Sequence, residues 1–363
     1  MRLRKVCLIG MFPPPLHGMS LINEFVRAQI AITNDPLVID YSPRKLERTF
    51  MARLGKLFVV FRAVFQFFYY VLSARVGKVY LGLSGGKGQV YDLIFVCISR
   101  LWGRQIYLHH HSYQYLNRIS WLSKLLFSIA GKNTVHIVAC EKMARDLECA
   151  YPVAKEVRVV SGIAALMQWT EQVFPREKIQ TIGFLSNISL EKGILEFLDI
   201  AAWAVSENLS LRFIIAGPYQ DEQVRGMVEN RLSVLKNVLY VGGVYADEKR
   251  NFFDSLDVFL FPTKYVNESE GLVIHEAMSR AVPVIAYSRG CIEQIISESV
   301  GLKLEPTADY VKGATNMISD WLSNPGTFNL VSHAAFRWYC EARTMHMGRM
   351  DNLCAELINE KSN

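Results

Sequence analysis

Short apolar runs alternate with longer stretches of helical periodicity along most of the chain. In the first half the runs predict strands at Val6–Gly10, Leu37–Tyr41, Val79–Leu83, Leu93–Ile98, Gln105–His109, His136–Cys140 and Val157–Val160. These runs are continuous rather than alternating, which is typical of parallel strands covered by helices on both faces. The stretches between them predict helices over 19–31, 51–75, 119–130 and 141–149.

The same alternation restarts in the second half of the chain. Strands are predicted at Thr181–Leu185, Leu211–Ala216, Val238–Val241, Val258–Phe261, Val282–Ala286 and Gly301–Leu304. Helices are predicted over 191–206, 220–235, 246–255, 270–280 and 290–297, and the tail from Ala334 to Leu357 is also helical in character. Regular alternation of strand and helix predicts doubly wound α/β sheets. The stretch from Gly162 to Arg176 has no strand pattern and is the predicted linker.

Composition supports two domains and limits the kinds of partner. The chain has 363 residues, of which 51% are hydrophobic and 20% charged, which is enough apolar material for two packed cores. The formal net charge of +6 suits nucleotide phosphates or a membrane surface, and it does not by itself imply nucleic acid. The first apolar run is too short for a secretory signal and prolines follow it, so we expect a cytoplasmic protein.

The segment 51–75 is apolar and aromatic but carries basic residues. Arg62, Gln66, Tyr69 and Ser73 form one narrow polar stripe at helical spacing, and Arg53 and Lys56 lie near its start. Three interpretations stay open: a core or surface helix, a helix that lies in a membrane interface with its basic residues at the headgroups, and a spanning helix.

The stretch from Pro262 to Met278 carries the most specific chemistry. It follows the predicted strand Val258–Phe261 and leads through a polar loop into a helix near Gly271. Ligands of doubly wound sheets bind beyond the carboxyl ends of the strands, and a helix N-terminus there offers N–H groups to phosphate. Glu268 and Glu276 are eight positions apart and can accept hydrogen bonds from sugar and ribose hydroxyls.

This stretch resembles the E-x7-E signature of retaining GT-B glycosyltransferases of family 4. The matching residues are Pro262-Thr263, Glu268, Gly271-Leu272, Glu276-Ala277-Met278 and Pro283-Val284-Ile285-Ala286. The resemblance implies an α/β protein of the GT-B fold, with two Rossmann-like doubly wound domains facing a cleft. Residues 1–165 would bind the acceptor, with a C-terminal helix of about 336–363 packing back on them, and residues 170–335 would bind the nucleotide-sugar.

The family's motifs assign roles within the donor domain. Glu276 would bind the ribose, Glu268 would lie against the donor sugar, and the amides of Gly271 and Leu272 would meet the diphosphate. The segment Gly183 to Gly193 resembles the family's G-R-L-x-x-x-K-G element, in which Lys192 neutralises the leaving diphosphate. Asn187 stands where many members have arginine. Either Asn187 donates neutral hydrogen bonds to the donor, or Lys264 or Arg289 supplies the missing charge.

Two further segments resemble glycine-containing loops of the family. Gly18 follows the first strand, where a glycine lets the backbone approach the donor phosphates or the acceptor, and the preceding His17 is predicted to contact the acceptor. Val241 to Tyr245 resembles the segment whose backbone pairs with the nucleotide base, through Gly243 and Val244.

Three adjacent histidines end another strand of the first domain. Neighbouring residues of a strand point to opposite faces, so His109, His110 and His111 cannot all bind one metal ion without distortion. The resemblance instead implies one histidine that contacts the donor sugar. His111 is the predicted catalytic residue, and His110 is the second choice, predicted to bind the acceptor.

Together these features predict a retaining glycosyltransferase without a metal or other cofactor. It would move a sugar from a nucleotide-diphosphate-sugar to a hydroxyl of a glycan or lipid-linked saccharide in bacterial surface polysaccharide assembly. The segment 51–75 would touch the inner membrane surface, so the protein would be cytoplasmic or peripheral at that membrane. The alternatives are a nucleotide-sugar-binding protein without turnover, prompted by Asn187, and a nucleotide-sugar 2-epimerase of the same fold.

Overall fold

The computed structural model describes residues 5–14, 17–42, 50–73, 75–167, 169 and 172–359, with only the backbone described for 50–54. Within the chain two compact units can be separated. The first comprises Met1–Ala165 and Thr344–Asn363, and the second comprises Leu166–Arg343. The assignment of acceptor and donor binding to these units stays a prediction.

The first unit is built on a six-stranded parallel sheet in the order β2-β1-β3-β4-β5-β6. Its strands are β1 (Lys5–Gly10), β2 (Leu37–Asp40), β3 (Val76–Leu83), β4 (Gln105–His110), β5 (Val135–Val138) and β6 (Glu156–Val159). Its helices are α1 (Gly18–Ala31), α2 (Phe50–Leu72), α3 (Gln89–Leu101), α4 (Gln114–Asn117), α5 (Trp121–Ala130) and α6 (Glu141–Ala150).

One predicted strand of this unit is wrong. Leu93–Ile98 lies inside the helix α3. A short apolar run has the same composition in a buried strand and in a buried helix, so periodicity could not separate the two. The buried residues Phe95, Val96 and Ser99 show that α3 presents one side to the sheet, as an amphipathic helix does.

The second unit is built on another six-stranded parallel sheet, in the order β12-β11-β10-β7-β8-β9. Its strands are β7 (Thr181–Leu185), β8 (Arg212–Ala216), β9 (Val238–Tyr240), β10 (Val258–Phe261), β11 (Val284–Tyr287) and β12 (Gly301–Leu304). Its helices are α7 (Ile194–Ser206), α8 (Glu222–Val234), α9 (Asp247–Asp254), α10 (Leu272–Met278), α11 (Ile292–Ile295) and α12 (Tyr310–Ser323). The predicted α/β architecture with two parallel sheets is confirmed.

A long last helix, α13 (Pro325–Ile358), has its first part in the second unit and its last part in the first. In the first unit, Met350, Leu353 and Leu357 of α13 join Val26 and Ile30 of α1 in one apolar core. The predicted C-terminal helix of about 336–363 falls within α13 as far as Ile358. Asn359 follows the helix, and residues 360–363 lie outside the described residues.

The core of the second unit lies between its sheet and helices α7 and α12. The Phe197 ring of α7 is tilted against Phe184 of β7 and lies edge to face with Phe213 of β8, with ring centroids 5.5 and 5.6 Å apart. Buried aromatic pairs of this kind add to the hydrophobic stabilisation of the sheet. The rigid sheet then carries the loops that follow β7 and β10, which are neighbouring strands.

Candidate active site

Four of the predicted donor residues, Asn187, Lys192, Glu268 and Gly271, lie in two loops at one edge of the second sheet. One loop follows β7 and ends in a 3-10 helix, Leu190–Lys192. The other follows β10 and runs to α10. Because β7 and β10 are parallel neighbours, the loops after them meet at the carboxyl ends of the strands, where ligands of such sheets bind.

A close backbone approach joins these two loops. Gly193 adopts a left-handed conformation with φ +84°, and a Cβ atom added there would lie 2.1 Å from the carbonyl oxygen of Pro262. The Lys264 N–H also donates to the Glu191 carbonyl at 2.7 Å. The glycine after Lys192 therefore lets the Lys192 loop rest on the start of the Glu268 loop.

Lys192 and Glu268 form an ion pair across the two loops. Lys192 Nζ lies 2.5 Å from Glu268 Oε2, and the two side chains are 23% and 14% exposed. The ammonium group also lies 4.9 Å from the centre of the Tyr265 ring and 5.9 Å from that of Phe261. The structure thus brings together two residues, 76 positions apart, to which sequence analysis gave adjoining roles.

Gly271 turns the chain into the short helix α10. Its φ of +65° is left-handed, and helix α10 begins at the next residue, Leu272. The first N–H groups of a helix have no partner within the helix, so the amides after Gly271 face the end of the loop. The predicted phosphate-binding amides therefore lie at the same sheet edge as Lys192.

Glu276 lies one turn into α10 and is buried. Burial raises the pKa of its carboxyl group, and the nearby Lys249 ammonium opposes that rise. Lys249 Nζ donates to Glu276 Oε1 at 2.7 Å and lies 2.5 Å from Oε2. Sequence analysis missed Lys249, which comes from α9 and stands 27 residues earlier in a helix with no motif of its own.

A second pair within the E-x7-E stretch was also missed. His275 Nε2 lies 3.0 Å from Glu270 Oε1, and both side chains are buried. The ring of His275 is parallel to that of Trp338 in α13, with centroids 5.6 Å apart. Glu270 directly precedes the Gly271 turn and His275 directly precedes Glu276, so this pair fixes the short stretch that carries the predicted donor contacts.

Asn187, at the position of the family's arginine, and the two basic residues that could supply the missing charge have different surroundings. Asn187 is exposed in the loop after β7. Lys264 pairs with Glu196 at 2.6 Å. Arg289 donates from Nε to the carbonyl of Thr263 at 3.2 Å, within the loop after β10. Lys264 thus belongs to the loop that carries Glu268, and Arg289 is held against that loop from outside it.

The predicted base-binding segment follows β9. Gly242 adopts φ +79° and its carbonyl accepts from the Gly217 N–H at 2.7 Å, which ties this segment to the loop after β8. Gly243 is exposed beneath the ring of Tyr245, and Val244 is half-buried. The segment thus continues the same sheet edge, since β9 is next to β8 and β8 is next to β7.

In the first unit, His17 and Gly18 begin helix α1. The Ser20 N–H donates to His17 Nδ1 at 3.2 Å, and the His17 N–H donates to Ser20 Oγ at 2.9 Å, which forms a capping box. Gly18 is the exposed first residue of the helix. Burial lowers the pKa of His17. One ring nitrogen of His17 is thus engaged in capping, a role that the sequence alone did not suggest.

The three histidines at the end of β4 have three different environments. His109 Nδ1 lies 2.6 Å from the Tyr80 hydroxyl, and its ring lies 4.4 Å from that of His111. His110 is buried, with Nδ1 2.7 Å from the Tyr115 hydroxyl and Nε2 3.0 Å from His136 Nδ1. Both ring nitrogens of His110 are thus engaged inside the unit, and its role in acceptor binding stays a prediction.

These histidines are neutral near pH 7. Burial is the largest cause: it lowers the pKa of His109 to about 3 and lowers the pKa values of His110 and His111 well below the ordinary value. The residues that the structure describes include no group of three or more His, Cys, Asp or Glu arranged to hold a metal ion. A neutral His111 can exchange a hydrogen bond with a sugar hydroxyl.

The loop after β1 is tied to the histidines by a chain of hydrogen bonds. The Tyr80 hydroxyl donates to Asn23 Oδ1 at 3.2 Å, and Asn23 Nδ2 donates to the Met11 carbonyl at 3.0 Å. The Asn23 amide lies over Gly10 and Gly82, where an added Cβ atom would approach it to 2.5 and 2.7 Å. Sequence analysis did not single out Asn23, because its partners lie on β3 and in the loop after β1 rather than on its own helix.

We expect Gly193→Ala to destabilise the second unit and to reduce activity. Alanine at a left-handed φ, with its Cβ atom against the Pro262 carbonyl, should lower the free energy of unfolding by about 2 kcal/mol or more. The melting temperature should then fall by about 4–8 °C. The matched control is Gly226→Ala in α8, where an added Cβ atom meets nothing within 4 Å. Equal melting temperatures for the two variants would contradict the role of Gly193.

Comparison with known proteins finds that part of this chain is similar to glycosyltransferases. The sequence model described as "Glycosyl transferases group 1" matches residues 168–335. An uncharacterized glycosyltransferase of Methanocaldococcus jannaschii is 29% identical over 43% of this chain and 41% of its own length. The alpha-monoglucosyldiacylglycerol synthase of Streptococcus pneumoniae is 24% identical over 45% of this chain and 40% of its own length. The matched part is thus about two fifths of each relative.

The fold is also similar to that of solved protein structures. The structure of Anabaena HepE in complex with UDP superposes with a TM-score of 0.72, at 13% identity over 97% of this chain and 100% of that chain. Two parallel six-stranded sheets with flanking helices define the GT-B glycosyltransferase fold here. More particularly, the part of the chain that matches the group 1 glycosyltransferases, residues 168–335, holds the two loops described above.

Proposed function

We propose that this protein is a retaining glycosyltransferase of family 4 that uses a nucleotide-diphosphate-sugar. The observation that carries the proposal is the pairing of Lys192 with Glu268, beside the Gly271 turn and the buried Glu276, at one edge of the second sheet. The match of the group 1 family to residues 168–335 supports it, as does the fold likeness to a protein crystallised with UDP.

The donor would lie across the carboxyl ends of the second sheet. Glu276 would accept hydrogen bonds from the ribose hydroxyls, and backbone groups of Gly243 and Val244 would contact the base. The amides after Gly271 would meet the diphosphate, since a helix start favours anions. Glu268 would then exchange its bond with Lys192 for hydroxyls of the donor sugar, while Lys192 turns to the phosphates.

The reaction would be a substitution on one face of the sugar. The acceptor oxygen forms a bond to the anomeric carbon as the bond from that carbon to the diphosphate oxygen breaks, and the hydroxyl proton passes to the departing diphosphate. Negative charge grows on the leaving group, and Lys192, already placed there, stabilises it without a metal ion. The neutral His111 would hold a hydroxyl of the donor sugar, which fixes its orientation.

For the acceptor we propose a glycan or lipid-linked saccharide hydroxyl, presented at the inner face of the cytoplasmic membrane during surface polysaccharide assembly. Two observations favour a lipid. The Streptococcus pneumoniae relative is named for a glucosylated diacylglycerol, and helix α2 of the first unit exposes an apolar face. His17, at the start of α1, is the proposed acceptor contact.

A thermal-shift screen tests the donor site. The screen compares UDP, GDP, ADP and CMP, and we expect one of them to raise the melting temperature. At a hundredfold excess over its Kd the rise should be about 5–10 °C, because the ligand binds only the folded state. EDTA should leave the shift unchanged. No shift with any nucleotide or sugar conjugate would remove the proposed donor site.

The stereochemistry needs its own measurement. With the selected donor and an accepted alcohol, NMR of the product should show the anomeric configuration of the donor retained. An inverted product would contradict the retaining assignment and leave the donor site standing. Binding without transfer or hydrolysis would favour a nucleotide-sugar-binding protein, the alternative that Asn187 suggests.

A further inference from the structure

Helix α2 of the first unit exposes a continuous apolar face. Large apolar side chains along it are between 51% and 71% exposed: Leu57, Phe58, Phe61, Phe65, Tyr69 and Leu72. These positions recur at helical spacing and the rings of Phe61 and Phe65 are 4.7 Å apart, so they form one stripe. Exposed apolar stripes of this size in one helix mark an interaction surface.

The opposite side of α2 fixes the helix to its unit. Val60, Ala63, Phe67 and Val71 are buried, at a spacing that places them on one side of the helix. The Phe67 ring meets that of Phe95 in α3 at 5.7 Å. Residues Gly55–Leu72 are long and apolar enough to cross a membrane by length and composition alone. Crossing would pull this buried side out of the unit's own core.

Helices α3 and α5 extend the apolar face. Three connections between parallel strands run in the same direction across the sheet: β2-α2-β3, β3-α3-β4 and β4-α5-β5. Because such crossovers are right-handed, the helices α2, α3 and α5 lie side by side on one face of the sheet. Leu101 of α3 is 79% exposed and Trp121 of α5 is 75% exposed. The outward sides of α2, α3 and α5, which we call the three-helix face, therefore carry apolar side chains together.

The part of the chain that contains these three helices is strongly basic. From Phe50 to Cys140 there are eleven lysines and arginines and a single acidic residue, Asp92, which is fully buried. Arg62, Arg100 and Lys124 are exposed, one on each of the three helices. Among the residues that the structure describes, none of these three pairs with an acidic side chain. Arg53, near the start of α2, has no described side chain.

We infer that the three-helix face docks flat on a bilayer that contains anionic lipids. Apolar side chains of the three helices enter the boundary between headgroups and acyl chains, while Arg62, Arg100 and Lys124 meet the lipid phosphates. The absence of exposed acidic groups between them favours a negatively charged surface over a neutral one. This inference goes beyond the proposed reaction and does not depend on the donor site.

The test uses the full chain and vesicles of phosphatidylcholine with or without about a third of phosphatidylglycerol, an anionic lipid that gives the surface a negative potential. Flotation should recover the protein with the anionic vesicles and about a hundredfold less with the neutral ones, since about 1 kcal/mol for each of the three basic residues is lost. The variant Phe58→Ser/Phe61→Ser/Phe65→Ser/Trp121→Ser should lose binding by about tenfold or more. Arg62→Gln/Arg100→Gln/Lys124→Gln should lower binding to anionic vesicles by about fivefold for each charge removed.

A matched control replaces exposed apolar residues of the second unit, Val234→Ser/Leu330→Ser, and should bind vesicles as the wild type does. Because every substituted residue is exposed, all variants should keep the wild-type melting temperature and the same thermal shift with nucleotide. That shared shift separates failure of docking from failure of the proposed donor site.

Three outcomes would overturn the inference. In the first, the serine variant binds anionic vesicles as tightly as the wild type. In the second, the wild type ignores both vesicles, and light scattering shows a dimer that the serine variant abolishes, so a second copy covers the face. In the third, the protein resists alkaline carbonate extraction, which would mean that α2 spans the bilayer.

Discussion

Replacing Lys192 by alanine should lower kcat by about a hundred- to a thousandfold, the usual cost of losing one fixed charge at a developing anion. The ammonium group lies at the meeting point of the loops after β7 and β10, 2.5 Å from Glu268. The donor Kd should change much less than kcat, because the charge on the diphosphate grows as the bond to the sugar breaks. Release of nucleoside diphosphate from the donor measures kcat, and titration measures Kd.

Controls separate this catalytic role from a structural one. Both side chains of the pair keep access to water, so Lys192→Ala should cost about 1 kcal/mol or less in unfolding free energy. Lys192→Arg keeps the charge and should recover part of kcat. Arg231→Ala breaks another ion pair of the same unit, with Asp199 at 2.7 Å, and should leave kcat unchanged. A Lys192→Ala enzyme as fast as the wild type would exclude Lys192 from the reaction.

The parts of the fold and of the site that can be predicted from the sequence are those determined by neighbouring residues in the chain. The continuous apolar runs of β7, β10 and β11 predict parallel buried strands because each residue's environment repeats along the run. Likewise, Glu268, Gly271 and Glu276 stand within one short loop and helix. Their meeting with Lys192 follows from a general rule, since loops after neighbouring parallel strands share one edge.

Contacts between distant elements had no such signal. Lys249 reaches Glu276 from α9, and Trp338 reaches His275 from α13. Each position reads in the sequence as an ordinary residue of a helix, and only the packing of two helices decides which side chains meet. The same limit explains Leu93–Ile98, since an apolar run is compatible with a strand until its neighbours are known.

Strand alternation at the end of β4 also predicts which of the three histidines share a face of the sheet. Alternation along β4 argued against a shared metal ion, and it also places His109 and His111 on one face and His110 on the other. The rings of His109 and His111 lie 4.4 Å apart, whereas His110 turns toward Tyr115 and His136. Applied fully, alternation would have paired His111 with His109 and assigned His110 to the core.

Glu276→Gln should raise the donor Kd by about ten- to a hundredfold, which corresponds to losing a charge-assisted hydrogen bond of about 1.5–3 kcal/mol. The carboxylate is buried, which raises the pKa of Glu276, and the Lys249 ammonium opposes that rise. Glutamine keeps the shape and one oxygen acceptor but loses the charge. Titration of the nucleotide selected by the thermal-shift screen measures the change.

Lys249→Met tests the same carboxylate from its other side. Without the ammonium group the pKa of Glu276 should rise further, because desolvation then acts unopposed. The carboxyl group is ionised only above its pKa, so nucleotide affinity in this variant should weaken as the pH falls and recover as it rises. Wild type should show the same weakening only at lower pH, and Glu276→Gln/Lys249→Met should show none of it. Matching pH profiles for Lys249→Met and wild type would mean that Lys249 does not control the charge of Glu276.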